Sequence, residues 1–245
     1  MTARLYLDQP LALGLALDLP PDISRHVQVL RLQPGDGLVL FNGCGGEWGA
    51  EITRIGRQTV EVQVGRQLPA NRELGCRVTL AVGMPANERM DALIEKATEL
   101  GAGAVQPLQC ARSVLKLSGE RADRRRAHWQ AVAVAASEQS GRTVVPAVAA
   151  VCSLESWLAG LAEPEAGERR LLLSFAADAL GPSALAAADA SGLILLSGPE
   201  GGLDEREESL ARARGFAPLS LGPRVLRADT APLAALALIG GLSGR

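Results

Sequence analysis

The chain has 245 residues, enough to bury a core and to form either one large domain or a small one beside a medium one. Apolar residues at 47% and charged residues at 21% exclude a disordered or fibrous chain, and a formal charge of −2 excludes a global attraction to polyanions, so any such partner needs a local basic face. No stretch approaches the roughly 20 apolar residues that span a bilayer, and MTARLYLDQP is no secretory leader, which predicts a cytoplasmic protein without a membrane partner.

Residues 1–70 read as a small β module. ARLYL, LVLF, GEWGAEITRI and QTVEVQV are short strands, with turn signals at Pro34–Gly37, Asn42-Gly43 and Gly45-Gly46. LPPDISRHVQVLRL between them reads as a short helix capped by Asp22 or Ser24. The polar, turn-rich LPANRELG then separates this module from a second domain, 75–245.

There the pattern alternates between strands and helices. RVTLAVGM is a buried strand, followed by a helix in which Met90, Leu93, Ile94, Ala97 and Leu100 recur at helical spacing. AVQPLQC is the next strand, and a long helix follows from about Arg121 to Gln139. VVPAV, the helix SLESWLAGL, the strands RRLLLSF and LILLSG, a helix beginning near Asp204, the strand FAPLSL and the apolar helix APLAALALIGGL complete the series. Strands apolar throughout, alternating with helices, predict an α/β fold whose mostly parallel sheet is covered on both faces.

Metal and redox chemistry find little support. Cys44, Cys76, Cys110 and Cys152 are scattered, with no Cys-x-x-Cys pair, and read as buried free thiols. His26 and His128 have no ligand-spaced neighbours, so no metal is expected.

The stretch LILLSGPEGGLDEREE carries the strongest chemical signal. A helix start after a strand ordinarily invites phosphate. Here Glu200 sits in the loop, Asp204, Glu205, Glu207 and Glu208 crowd the first turn, and neither the P-loop lysine nor the dinucleotide Gly-x-Gly-x-x-Gly is present. Asp204 and Glu207 fit a capping box, which leaves Gly198, Gly201 and Gly202 unexplained. A ligand that is uncharged or cationic where it meets this loop fits, and the adenosyl sulfonium of S-adenosylmethionine has that character; glycines that merely turn a crowded corner are the alternative.

SGPEGGLDEREE followed by LSLGPRVLRADTAPLAAL resembles the two carboxyl-terminal signatures of the SPOUT methyltransferases, most closely the ribosomal RNA small-subunit methyltransferase E family. ERMDALIEKATELGAGAVQPLQCARSV, HWQAVAVAASEQSGRTVVPAV, HVQVLRLQPGD and LFNGCGGEWGAEI extend the match over most of the chain. Asp229 stands where the family commonly has Glu, Asp204 where it often has Ser, and Glu95 where Gln is usual; LLLSFAAD lacks the acid often seen after that strand. The resemblance implies an N-terminal PUA-like β-barrel that binds RNA, an α/β domain with a C-terminal trefoil knot, a homodimer, and S-adenosylmethionine-dependent methylation of uridine N3 in 16S rRNA of the small ribosomal subunit. By resemblance the cofactor-binding set is Leu173, Gly198, Pro199, Glu200, Gly201, Gly202, Leu221, Gly222, Leu226, Arg227, Thr230 and Ala231.

The proton on uridine N3 must leave, so a base or an anion-stabilising cation is needed. Arg142, after the EQSG loop, and Arg227 are the candidate cations, with Glu138 orienting an arginine or accepting the proton. The Lys96–Glu99 pair reads equally as functional or as a surface ion pair. RNA contacts are expected from Arg4, Arg25 and Arg31 on the first module and from Arg112, Lys116, Arg121 and the run Arg124 to Arg126 on the second, although a solvated helix face explains the run as well. With aromatics at 3%, shape and phosphate contacts should dominate over stacking. Two other readings stand beside this one: the same cofactor with another RNA target, such as a ribose 2′-hydroxyl or a tRNA base, and a non-catalytic RNA-binding or ribosome-assembly module.

Overall fold

The computed structural model describes residues 2–86, 89–186 and 190–242. The chain divides into two compact units: Met1–Glu73 with Ser137–Val145, and Leu74–Ala136 with Pro146–Arg245.

The first unit is built on a mixed sheet. Its elements are β1 (Arg4–Tyr6), β2 (Ala16–Asp18), α1 (Pro21–Val29), β3 (Gly37–Phe41), β4 (Glu47–Ile55) and β5 (Val60–Leu68), in sheet order β1-β3-β4-β5-β2. β1 runs parallel to β3 and the remaining pairs are antiparallel. Alternation along these strands sends Leu5, Leu38, Leu40, Ile52, Val60, Val62 and Val64 into one core, where Val27 of α1 joins them. α1 corrects one expectation, since neither Asp22 nor Ser24 caps it. Pro20 is the cap residue and Pro21 opens the first turn, where a missing N–H costs nothing. Buried Ser24 instead donates to the Leu19 carbonyl and accepts from the Val60 amide, tying the helix to the sheet.

The second unit carries a parallel sheet. In chain order its elements are β6 (Arg77–Gly83), α2 (Arg89–Glu99), β7 (Ala104–Gln109), α3 (Gly119–Ser140), β8 (Ala147–Val148), β9 (Cys152–Ser153), α4 (Leu154–Gly160), β10 (Glu168–Leu173), β11 (Gly192–Ser197), α5 (Glu205–Ala213), β12 (Ala217–Leu219) and α6 (Thr230–Leu242). The last turn of α3, from Ser137, is counted with the first unit. The strand order is β12-β10-β11-β6-β7-β8, with β9 also on β7, and the pairings are parallel. Val78, Leu80, Ala81, Val82, Leu171, Leu172, Leu193, Leu195 and Leu196 are buried, the two-faced burial that the unbroken apolar runs predict. Register sets Ser197 beside Val82 and Leu173 beside Leu219, which brings the carboxyl ends of β6, β11, β10 and β12 to one edge of the sheet.

Cys76 and Cys110 are buried as expected, whereas Cys44 is exposed and Cys152 half-buried. Cys44 follows the Asn42-Gly43 turn in a single isolated bridge to Val144, outside the sheet whose inner face is buried. Among the described residues no helix is long and apolar enough to cross a membrane.

Candidate functional site

The carboxyl ends of parallel strands are where α/β sheets bind ligands, because the loops there diverge and leave a crevice. Here the loops after β10, β11 and β12 and the entry to α6 enclose a cavity of about 750 Å³, within the size range of small-molecule sites. Its inner wall is apolar, from Leu173, Leu219, Leu221, Leu226 and Ala228. Gly198 to Gly202 and Gly222 line it as well, together with Ser174, Ser197 and Glu208. Arg89, Arg224 and Arg227 supply the cations of its lining.

The glycine loop owes its shape to chain packing. A Cβ on Gly198 would lie 2.9 Å from the Leu203 nitrogen, and one on Gly83, at the end of β6, would lie 2.5 Å from Pro199 Cδ. Pro199 is therefore wedged against β6, and the backbone passes too close for any side chain at either glycine. Gly201 backs onto Arg112, whose Cβ would be 3.0 Å from an added methyl. Crowding thus accounts for two of the three loop glycines. Gly222 is different: φ is +116° and the space before a would-be Cβ is open, so it is the permissive backbone that turns the second wall.

The loop's acids are mostly occupied. Asp204 caps α5, accepting from the Glu207 amide at 2.7 Å while Glu207 accepts from the Asp204 amide at 3.1 Å, the capping box read from the sequence. The other Glu207 oxygen accepts from the Ala111 amide at 2.7 Å. Glu200 accepts from the Ala86 amide at 2.9 Å and pairs with Arg89 at 3.4 Å. Glu208 accepts from the Ser174 hydroxyl at 3.3 Å. Buried Cys110 lies under this cluster, and burial, with Glu207 and Asp204 adding to it against a bond with Ser113, pushes its thiol up to about 12, so it stays protonated.

Of the residues expected at the cofactor, Leu173, Gly198, Pro199, Glu200, Gly201, Gly202, Leu221, Gly222, Leu226, Arg227 and Ala231 line the cavity. Thr230 is not among the lining; its amide donates to the Arg227 carbonyl in the turn into α6. Sequence reading missed Ser174, Phe175, Ser197, Glu208, Leu219, Arg224 and Val225. Ser197 and Leu219 end apolar strands, which is the signal that could have found them.

Arg142 and Glu138 lie in the first unit. The Arg142 side chain is 3% exposed and its Nε is 3.1 Å from Glu73 Oε2, with Nη2 also bonded to Glu73. Glu138 accepts from the Tyr6 amide at 2.8 Å. Burial pushes its carboxyl up, against the opposing amide bond. Arg4, expected on RNA, is inward instead: it pairs with Glu47 at 2.8 Å, donates to the carbonyls of Ser137, Glu138 and Arg142, and lies over the Phe41 ring. Arg112 donates to the carbonyls of Gly201 and Leu203 in the second unit. Arg25, Arg31, Lys116, Arg121, Arg124 and Arg125 are exposed. Lys96 bonds Glu95 and Glu99 on an exposed face of α2, the surface reading of that pair. His128 and Trp129 both bond Asp91, at 2.8 and 2.9 Å, which locks α3 to α2. Among the described residues no cluster of His, Cys, Asp or Glu is arranged to hold a metal ion.

A parallel sheet with an apolar cavity at its strand ends, joined to a small mixed-sheet unit, is the architecture of an RNA methyltransferase. Residues 72–240 match the RNA methyltransferase domain model and residues 19–65 the RNA methyltransferase PUA domain model. The chain is 38% identical over 215 residues to ribosomal RNA small subunit methyltransferase E of Synechocystis, covering 88% of this chain and 69% of that one. It is 34% identical over 226 residues to the Bacillus subtilis protein of the same name, covering 89% and 86%. Among solved structures, a ribosomal RNA small subunit methyltransferase E from Neisseria gonorrhoeae bound to S-adenosylmethionine superposes with a TM-score of 0.90 at 33% identity, over 99% of this chain and 98% of that one. The chain belongs to the ribosomal RNA small subunit methyltransferase E family.

Proposed function

We propose that this chain methylates the N3 atom of a uridine in 16S rRNA of the small ribosomal subunit, with S-adenosylmethionine as donor. The observation that carries the reading is the lining of the strand-end cavity. Leu173, Leu221 and Leu226 offer apolar contact to a purine, and the main chain at Gly198 to Gly202 and at Gly222 offers hydrogen bonds to ribose and base edges. When bound, the cofactor supplies an electrophilic methyl group. The protein's part is to align acceptor and donor and to exclude water, which is where most of the acceleration of a direct displacement arises.

Uridine N3 gives up its proton to solvent water as the methyl group arrives, and Arg227, exposed at the cavity, stabilises the anion that develops. Arg142 and Glu138 enter the reading through the segment they hold, since Glu73 and the Tyr6 amide already engage them. Arg25, Arg31, Lys116, Arg124 and Arg125 grip phosphates in this reading. A second copy of the chain covers α6, where Leu238 is 39% and Leu242 48% exposed although the helix is apolar nearly all round.

The test is methyl transfer from labelled cofactor to small-subunit particles that lack the modification, followed by nucleoside analysis. N3-methyluridine is expected, and Arg227→Ala should lower kcat by at least tenfold with the cofactor still bound. Another methylated nucleoside would reject the target and keep the cofactor. RNA binding without cofactor binding would favour an assembly module instead.

A further inference from the structure

We propose that the mouth of this cavity seats the target nucleotide, with Phe175 as the stacking platform for its base and Arg224 as the cation for its phosphate. The proposal rests on the function proposed above and names a contact that the family resemblance did not supply.

Phe175 lines the cavity yet is 65% exposed. Among the described residues it is the aromatic member of the exposed large apolar side chains, while Phe41, Trp129 and Phe216 are buried. Hydration of an exposed ring is unfavourable, and a mobile loop could fold it inward. This loop is instead fastened on both sides. The Ser174 amide donates to the Leu219 carbonyl at 3.0 Å, the Ser174 hydroxyl accepts from the Ala176 amide at 3.1 Å, and the Leu180 amide donates to the Pro218 carbonyl at 2.8 Å. Asp178 forms a two-pronged pair with Arg212 at 2.7 and 3.0 Å. The backbone that carries the ring is therefore held in place while the ring itself stands exposed to solvent, as a stacking platform requires.

Its neighbours on the cavity decide what it meets. Val225, 85% exposed, extends the apolar rim. Arg224 and Arg227, both exposed, have no ion-pair partner among the described residues. An exposed aromatic ring and unpaired guanidinium groups on one cavity suit an unstacked base with its phosphate, and reaching N3 requires a base removed from its stack. The purine of the cofactor is already provided for by the inner leucines, of which Leu219 is fully buried.

The experiment compares wild type with Phe175→Leu, Phe175→Trp and Arg224→Gln. Expected for F175L is a rise in KM for small-subunit particles of roughly tenfold or more, cofactor Kd within about twofold of wild type, and restoration in F175W. R224Q should shallow the salt dependence of particle binding by about one phosphate contact. A weakened cofactor Kd in F175L with unchanged KM for particles would assign the ring to the purine and overturn the proposal, as would no change in either. If wild type methylates a different nucleoside, the target assigned above falls, and the same KM comparison on that RNA decides the role of Phe175. If wild type methylates nothing, direct binding of particles to F175L and wild type decides it.

Discussion

Arg112 Nη1 lies 2.9 Å from the carbonyl oxygen of Gly201 and 3.2 Å from that of Leu203. One guanidinium from the loop after β7 thus spans the glycine turn and neutralises acceptors at the start of an acid-rich segment. Charge-assisted bonds of this kind are worth roughly 1.5–3 kcal/mol when buried, less at this exposed site. Arg112→Ala should therefore loosen the turn and weaken S-adenosylmethionine binding by about three- to tenfold, read by calorimetry. Arg112→Lys, which offers a point charge without the planar fork, should recover only part of it. If R112A bound cofactor normally and lowered the salt dependence of RNA binding instead, Arg112 would be a phosphate contact.

The glycines at the strand ends give a second expectation. Gly83→Ala and Gly198→Ala drive a methyl group into backbone, at 2.6 Å from the Pro199 nitrogen and 2.9 Å from the Leu203 nitrogen. Overpacking typically costs about 1–3 kcal/mol, and rigid backbone neighbours place these two toward the upper end. Gly181→Ala is the control, because φ is −78° and nothing lies within 4 Å of its added methyl. Urea midpoints should fall for the first two and hold for the third. Equal midpoints for all three would mean that the loop yields freely.

These contacts mark what a sequence can and cannot disclose. The Asp204–Glu207 capping box was legible because both partners sit within one turn and carry specific side chains. The parallel sheet was legible because burial on both faces leaves apolar runs at Leu80–Val82 in β6, Leu171–Leu173 in β10 and Leu193–Leu196 in β11. The Arg112 clasp was not, since its partners are main-chain carbonyls, which every residue owns, one of them 89 positions away. The same holds for Arg4, which reads as a surface cation until the fold brings three carbonyls and Glu47 around it. The loop glycines misdirected attention for a related reason: sequence shows that backbone must pass close to something, and what crowds Gly198 is the backbone of its own loop at Gly202 and Leu203.

The Arg142–Glu73 pair governs how any loss of activity at Arg142 should be read. With Arg142 3% exposed and Glu73 22% exposed, removing either partner costs the other a charge-assisted bond in a poorly hydrated place. Glu73→Gln should destabilise the protein by about 1–3 kcal/mol, discounted from the fully buried range because Glu73 keeps some water contact. Arg142→Ala should cost a similar amount, and a double-mutant cycle should show strong coupling. Loss of activity in R142A at unchanged stability would instead give Arg142 a direct role in the reaction.

Acid behaviour of the first unit follows from two carboxylates with opposite shifts. Burial pushes Glu47 up, but the bonds from Arg4 and Arg72 outweigh it and hold the carboxyl below its ordinary 4.5. A depressed folded value means that its stabilisation is present above 4.5 and is lost as the pH falls through the folded value. Glu138 moves the other way, because burial outweighs the Tyr6 amide bond and the charges of His26 and Arg4 and raises it above its ordinary 4.5. In the window above 4.5 the folded state then holds the proton more tightly than the unfolded chain, so stability falls as the pH rises through that window and levels off beyond it. Stability should therefore peak in the weakly acidic range and decline on both sides. Glu138→Gln, which keeps an oxygen for the Tyr6 amide, should remove the decline on the neutral side and leave the acid limb intact. Urea midpoints taken from about pH 3 to about pH 8 read both limbs. A variant whose neutral-side slope matched wild type would show that Glu138 does not titrate against burial.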